Sequence, residues 1–169
     1  MDMSTRRSHR LAALTTTGAL LTGTLAAAFV ATPAASAHGT YRHCTTTASM
    51  FVDNNRDLRA PLPWGYNEST PTSTCYLTNG DVGSSTDSAV TALQRALNKC
   101  YGAGLTLDGA FGDLTEAALR RAQSASGATV DGEYGPNTRD HIRWPVYRES
   151  TGQFVKCSKT SSMSSVYIP

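Results

Sequence analysis

The chain has 169 residues and a formal net charge of +2, from 15 Lys and Arg against 13 Asp and Glu. Residues 1–37 contain Arg6, Arg7, Arg10 and Asp2, so the remainder is formally neutral, which argues against a nucleic-acid or anionic-membrane binder, since both need clustered cations. Residues 38–169 suffice for one domain with extensions, not for a catalytic domain plus a binding domain.

In chain order, residues 1–37 read as an export signal. Arg6, Arg7 and Arg10 form a basic start, Leu11 to Val30 is small and apolar, and Ala35-Ser36-Ala37 is a cleavage site. A membrane anchor is the alternative, but the run is rich in Thr and Gly and no second hydrophobic stretch follows. Arg6-Arg7 hints at twin-arginine export without the apolar residue expected soon after the pair, so the route stays open. Cleavage after Ala37 makes His38 the first residue. Cys44, Cys75, Cys100 and Cys157 are an even set behind that signal, the setting in which thiols oxidise to bridges. Three pairings are possible; Cys75 with Cys100 and Cys44 with Cys157 is preferred, because the chain between the first two folds back along a helix.

Residues 38–76 are poor in periodic apolar residues and rich in Thr, Asn and Pro, so an irregular arm is expected. Its apolar knot, Pro61 to Tyr66, either packs Trp64 and Tyr66 on the domain, the preferred reading, or offers them as a sugar-stacking shelf. A helix is expected over Thr86 to Cys100, capped by Ser85 or Thr86, with Val90, Leu93, Ala96 and Leu97 on one face. A second spans Asp113 to Ala125, where Asp113 and Glu116 resemble a capping box. A third spans Pro136 to Trp144, with Pro136 in the first turn. Leu93, Leu97, Leu107, Phe111, Leu119, Val130, Tyr134 and Ile142 are the expected core. The tail, 146–169, contains an extended piece around Phe154 to Cys157 and a loose Ser-rich end.

One phrase is written twice. Leu107-Asp108-Gly109-Ala110-Phe111-Gly112 with Thr115 returns as Val130-Asp131-Gly132-Glu133-Tyr134-Gly135 with Thr138, each copy opening a helix. Asp and Gly tolerate the dihedrals of a tight turn, and the aromatic plugs the core beneath it. With Val90-x-x-Leu93-Gln94-x-x-Leu97 upstream, residues 77–145 resemble the small three-helix peptidoglycan-binding domain of bacterial cell-wall proteins. Three departures stand out: Ala122 replaces the family's aromatic before Gln123, the step from Gly83 to Val90 is long, and Cys75, Cys100 and Cys157 are extra.

The resemblance implies a mostly α, three-helix fold with tandem Asp-Gly-aromatic-Gly turns, flanked by an irregular, disulfide-tied N-terminal arm and C-terminal tail. It also implies a groove near the turns for the stem peptide or glycan of peptidoglycan. The ligand-binding candidates are Asp108, Gly109, Phe111, Asp131, Gly132, Tyr134 and Arg139. The second copy is favoured, because Tyr134 adds a hydroxyl and Arg139 is available for a stem carboxylate.

No catalytic constellation is legible. Asp108, Asp131 and Glu133 sit in turns without a nucleophile or metal set, and no Ser lies in a nucleophile phrase. The expected function is a secreted, non-catalytic, monomeric module on or near the cell wall that binds peptidoglycan, without cofactor, metal, nucleic acid or membrane partner. The alternative is an interaction protein that keeps the scaffold without the ligand site. A remote third reading is a copper-dependent polysaccharide oxidase using an N-terminal His38, with His43 and His141 poorly placed as its second histidine.

Overall fold

The computed structural model describes residues 42–167. The expected export signal and His38 lie outside them. The described residues carry eight strands and three α-helices, so the molecule is mixed α and β rather than mostly α. In chain order come β1 (Arg42–His43), β2 (Thr46–Val52), β3 (Asn55–Asn67), β4 (Thr70–Thr72) and β5 (Cys75–Tyr76). Next are α1 (Asp87–Tyr101), α2 (Asp113–Ser126) and α3 (Pro136–His141), then β6 (Trp144–Arg148), β7 (Phe154–Ser158), a 3-10 turn (Thr160–Ser162) and β8 (Met163–Tyr167).

The expected irregular arm is the centre of a sheet ordered β7-β6-β3-β2-β8, with β4 on β3. β2 and β3 form an antiparallel hairpin in which Val52 faces Asn55. Its two turn residues, Asp53 and Asn54, both have positive φ (54° and 55°), the signature of the turn whose twist matches paired strands. Along β3, Ala60, Leu62 and Trp64 alternate into the core, which is strand periodicity. Pro61 and Pro63 interrupt it to the eye. They are tolerated because β6 pairs β3 only at Leu58 and Arg59, leaving the stretch beyond as an edge on that side. The tail is equally ordered: β7 coincides with the expected extended piece, and the Ser-rich end forms β8 against β2.

The disulfides join Cys44 to Cys75 and Cys100 to Cys157, not the preferred pairing. Cys44 follows β1, which runs parallel to β5 with Arg42 opposite Cys75, so these cysteines meet side by side. Cys100, at the end of α1, is thereby tied to β7.

The helices start close to their expected positions, and α3 stops early because Trp144 and Pro145 join β6. α1 packs across β2, β3 and β6, and one continuous core joins sheet and helices. Leu93, Leu97, Phe111, Leu119, Tyr134 and Ile142 are fully buried in it. Leu107 and Val130 are not; they are 45% and 49% exposed. Each sits just before a turn whose aromatic already fills the space beneath. The expected capping box is also absent: Gly112 caps α2, while Asp113 and Glu116 both accept from the Asn79 amide, at 2.7 and 3.0 Å.

Candidate functional site

Each Asp-Gly turn is locked by a glutamine from the preceding helix. Gln94, on the buried face of α1, directs Nε2 at Asp108 Oδ1 (2.7 Å), the Ala110 carbonyl (3.0 Å) and Thr115 Oγ1 (3.3 Å), while its Oε1 accepts from the Gly109 N–H (3.2 Å). Gln123, on α2, does the same for the second copy. Its Nε2 reaches Asp131 Oδ1 (2.7 Å), the Glu133 carbonyl (2.9 Å) and Thr138 Oγ1 (2.9 Å), and its Oε1 accepts from the Gly132 N–H (2.9 Å). A carboxamide has both donors and acceptors, so one side chain satisfies both polarities of a turn. Both glutamines are buried, where unmet polar groups are costly.

Asp108 and Asp131 also close their own turns, each Oδ1 accepting the N–H two residues on, from Ala110 at 3.0 Å and Glu133 at 2.9 Å. The Gln94 bond, with the Ala110 N–H, holds the Asp108 carboxyl below the usual carboxylate range.

The aromatics are plugs, and both dock on one segment. Tyr134 exchanges two backbone bonds with Leu77 (2.9 and 3.0 Å); Phe111 accepts from the Gly80 N–H (2.9 Å) and donates to the Asp81 carbonyl (2.8 Å). Residues 77–81 therefore stitch the two copies together. The Tyr134 ring is fully buried, edge-on to Trp144, and its hydroxyl points to the Pro63 carbonyl at 3.4 Å. Burial pushes that phenol up, so it stays protonated. The expected ligand-facing hydroxyl is thus turned inward onto β3. Arg139 is likewise engaged: Nε and Nη2 pair with Asp140 at 2.8 Å each, and Nη1 donates to the Ser73 carbonyl at 3.2 Å.

The copies differ in what covers them. A Cβ on Gly132 would lie 2.7 Å from Arg120 Nε, because Arg120 lies over that turn, bonded to Glu116 and to the Val130 carbonyl. Beside the first turn a groove of about 300 Å³ opens between Asp108, Ala110, Asp113, Leu114 and Thr115, with Gln94 in its wall. Leu114 is 78% exposed at this groove and Leu107 stands before the turn, an apolar margin next to the Asp108 carboxylate.

Of the other sequence candidates, Trp64 is buried and Tyr66 partly exposed. His43 pairs with Asp81 at 2.7 Å, and His141 Nδ1 lies 2.8 Å from the Asn137 carbonyl. Among the described residues no three of His, Cys, Asp or Glu gather as metal ligands. The clamping role of Gln94 and Gln123 was missed. Its signal was a polar residue inside each helix's apolar stripe, a position that demands buried partners.

The arrangement defines a class: a helical module of two turn-opened helices, locked by internal carboxamides and backed by a sheet. Residues 86–142, about a third of the chain, match the family model described as "Putative peptidoglycan binding domain", so that segment is similar to the family's domain. No curated protein and no solved structure matches the chain.

Proposed function

We propose that the protein is a secreted, non-catalytic module that binds bacterial cell-wall peptidoglycan at the groove beside the first Asp-Gly turn. The observation that carries the reading is the family match over 86–142, with both turns intact and a groove beside the first. The groove offers a carboxylate acceptor at Asp108 and an apolar contact at Leu114, a mixture suited to amide-rich muropeptides. Two disulfides and the Ala35-Ser36-Ala37 site support export to an oxidising compartment. The turn carboxylates are engaged in structure, which supports a role without hydrolysis.

Co-sedimentation of the disulfide-bonded protein with purified sacculi tests the reading. Retention is expected, with at least about a tenfold loss in Leu114→Asp at unchanged melting temperature, the scale of one buried leucine. Dye release from labelled sacculi should stay at the buffer level. Absence of retention overturns wall binding; full retention by Leu114→Asp overturns the groove.

A further inference from the structure

A second groove, of about 530 Å³, lies away from the Asp-Gly turns, where the sheet meets α3. Met50 of β2 and Trp64 of β3 line it on one side; Arg139 and Asp140 of α3 on another; Thr160 and Ser161 of the 3-10 turn on a third. Only Arg139 and Asp140 fall within the segment that matches the family. The groove is therefore a product of the added sheet.

Its chemistry is specific. Arg139 and Asp140 form a planar two-bond pair, further held by the Ser73 carbonyl and by Thr160 Oγ1 donating to Asp140 Oδ1 at 3.2 Å. Pairing holds the Asp140 carboxyl low and the Arg139 guanidinium high, so both stay charged and the pair is neutral as a unit. A guanidinium has five N–H groups; three are engaged, which leaves one each on Nη1 and Nη2 beside the carboxylate's remaining lone pairs. Adjacent donors and acceptors without net charge suit vicinal hydroxyls, each both donor and acceptor, better than they suit an anion, which Asp140 repels. Beside them stands the Trp64 indole, whose N–H is buried without any acceptor. Such a donor is satisfied when a ligand carbonyl arrives. The N–H is covered, so the carbonyl reaches it only as a neighbouring side chain moves. Met50, with three rotatable bonds, is the most adaptable of these and offers an apolar wall.

We propose that this groove binds the N-acetylated amino sugar at the non-reducing end of a glycan strand, the acetamido group between Trp64 and Met50 and the adjacent C3 and C4 hydroxyls on Arg139, Asp140 and Thr160. The proposal rests on the wall-binding reading for the glycan's source but uses a site separate from the first-turn groove.

The test is titration of the ¹⁵N-labelled protein with three probes: a chitin trisaccharide, amidase-stripped glycan strands, and a free stem peptide. The Trp64 indole signal should shift saturably with either glycan and not with the peptide. Trp144, whose indole donates to the Arg139 carbonyl at 3.0 Å, gives the second indole signal for comparison. Ser161→Tyr, at an exposed position, fills the groove without disturbing the core, and Asp140→Ala removes the acceptor; each should weaken glycan binding at least about tenfold. A silent Trp64 with both glycans, a shift produced by the peptide, or unchanged affinity in both variants overturns the proposal. Sacculus retention with a silent Trp64 removes this groove and leaves wall binding standing. A glycan-induced shift without sacculus retention does the reverse.

Discussion

The two Asp-Gly turns are near-copies in sequence and in hydrogen bonding, yet different neighbours press on them: Asp87 on Gly109 and Arg120 on Gly132. Gln94 and Gln123 make matching sets of contacts, so the locked turn is an internal device that both copies of the repeat share. What separates the copies lies outside the phrase. Arg120 lies over Gly132, whereas the first turn looks into a groove bordered by Leu114. Any difference in role between the copies has to come from these neighbours.

The strongest way to break this comparison is to remove a clamp. Gln94→Ala or Gln123→Ala strands a buried turn N–H and takes one of two donors from a carbonyl and from a carboxylate, and each should cost about 2 to 4 kcal/mol in urea unfolding. A loss below about 1 kcal/mol in either variant would mean the turn holds itself closed. Next come the glycines, which sharpen the contrast. Gly109 and Gly132 both have positive φ (71° and 74°), so alanine strains each. The new Cβ at Gly109 meets the Asp87 backbone at 3.0 Å, which cannot swing aside, whereas at Gly132 it meets the mobile end of the Arg120 side chain. Gly109→Ala should therefore cost about 2 to 3 kcal/mol and Gly132→Ala about 1 to 2 kcal/mol. Equal losses would remove Arg120 as the distinguishing cover.

Tyr134→Phe is a smaller perturbation, deleting only a hydroxyl that faces Pro63. It should cost about 0.5 to 1.5 kcal/mol and leave sacculus retention unchanged. Weaker retention at full stability would restore the second turn as a ligand site. The smallest effect is in acid. Asp108 has a lowered folded-state pKa, so its contribution to stability is present above the unfolded value, near 4, and fades as pH falls through the folded value. A carboxyl NMR titration should find Asp108 below the ordinary aspartate midpoint in the wild type and shifted up in Gln94→Ala. An unmoved midpoint in that variant would exclude Gln94 as the cause.

The helical third of the molecule was readable because its signals are local. Val90, Leu93 and Leu97 repeat at helical spacing, and Asp-Gly marks each turn. The sheet was not readable for equally physical reasons. The alternation of Ala60, Leu62 and Trp64 is crossed by Pro61 and Pro63, and the strands that complete it come from the other end of the chain. Asp53-Asn54 was the available hairpin clue, weaker than an Asn-Gly or Asp-Gly pair. The exposure of Leu107 and Val130 was hidden because apolar character alone does not say which side of a turn faces solvent. The second groove could not be foreseen, since Trp64, Arg139 and Ser161 become neighbours only once the sheet closes.

That closure also sets an order of assembly. β8 pairs with β2, Met50 opposite Val166, so the outer strand bonds to a partner made near the other end of the described chain. Contacts of such long range form slowly, because an entire intervening loop has to find its ends, while α1 and α2 need only near neighbours. Until residue 163 has emerged, β2 presents an unpaired edge to any other extended chain it meets. The wait for the last strand is when a growing molecule is most exposed to the wrong partner, and a high local concentration of unfinished chains is the condition under which that hazard is greatest.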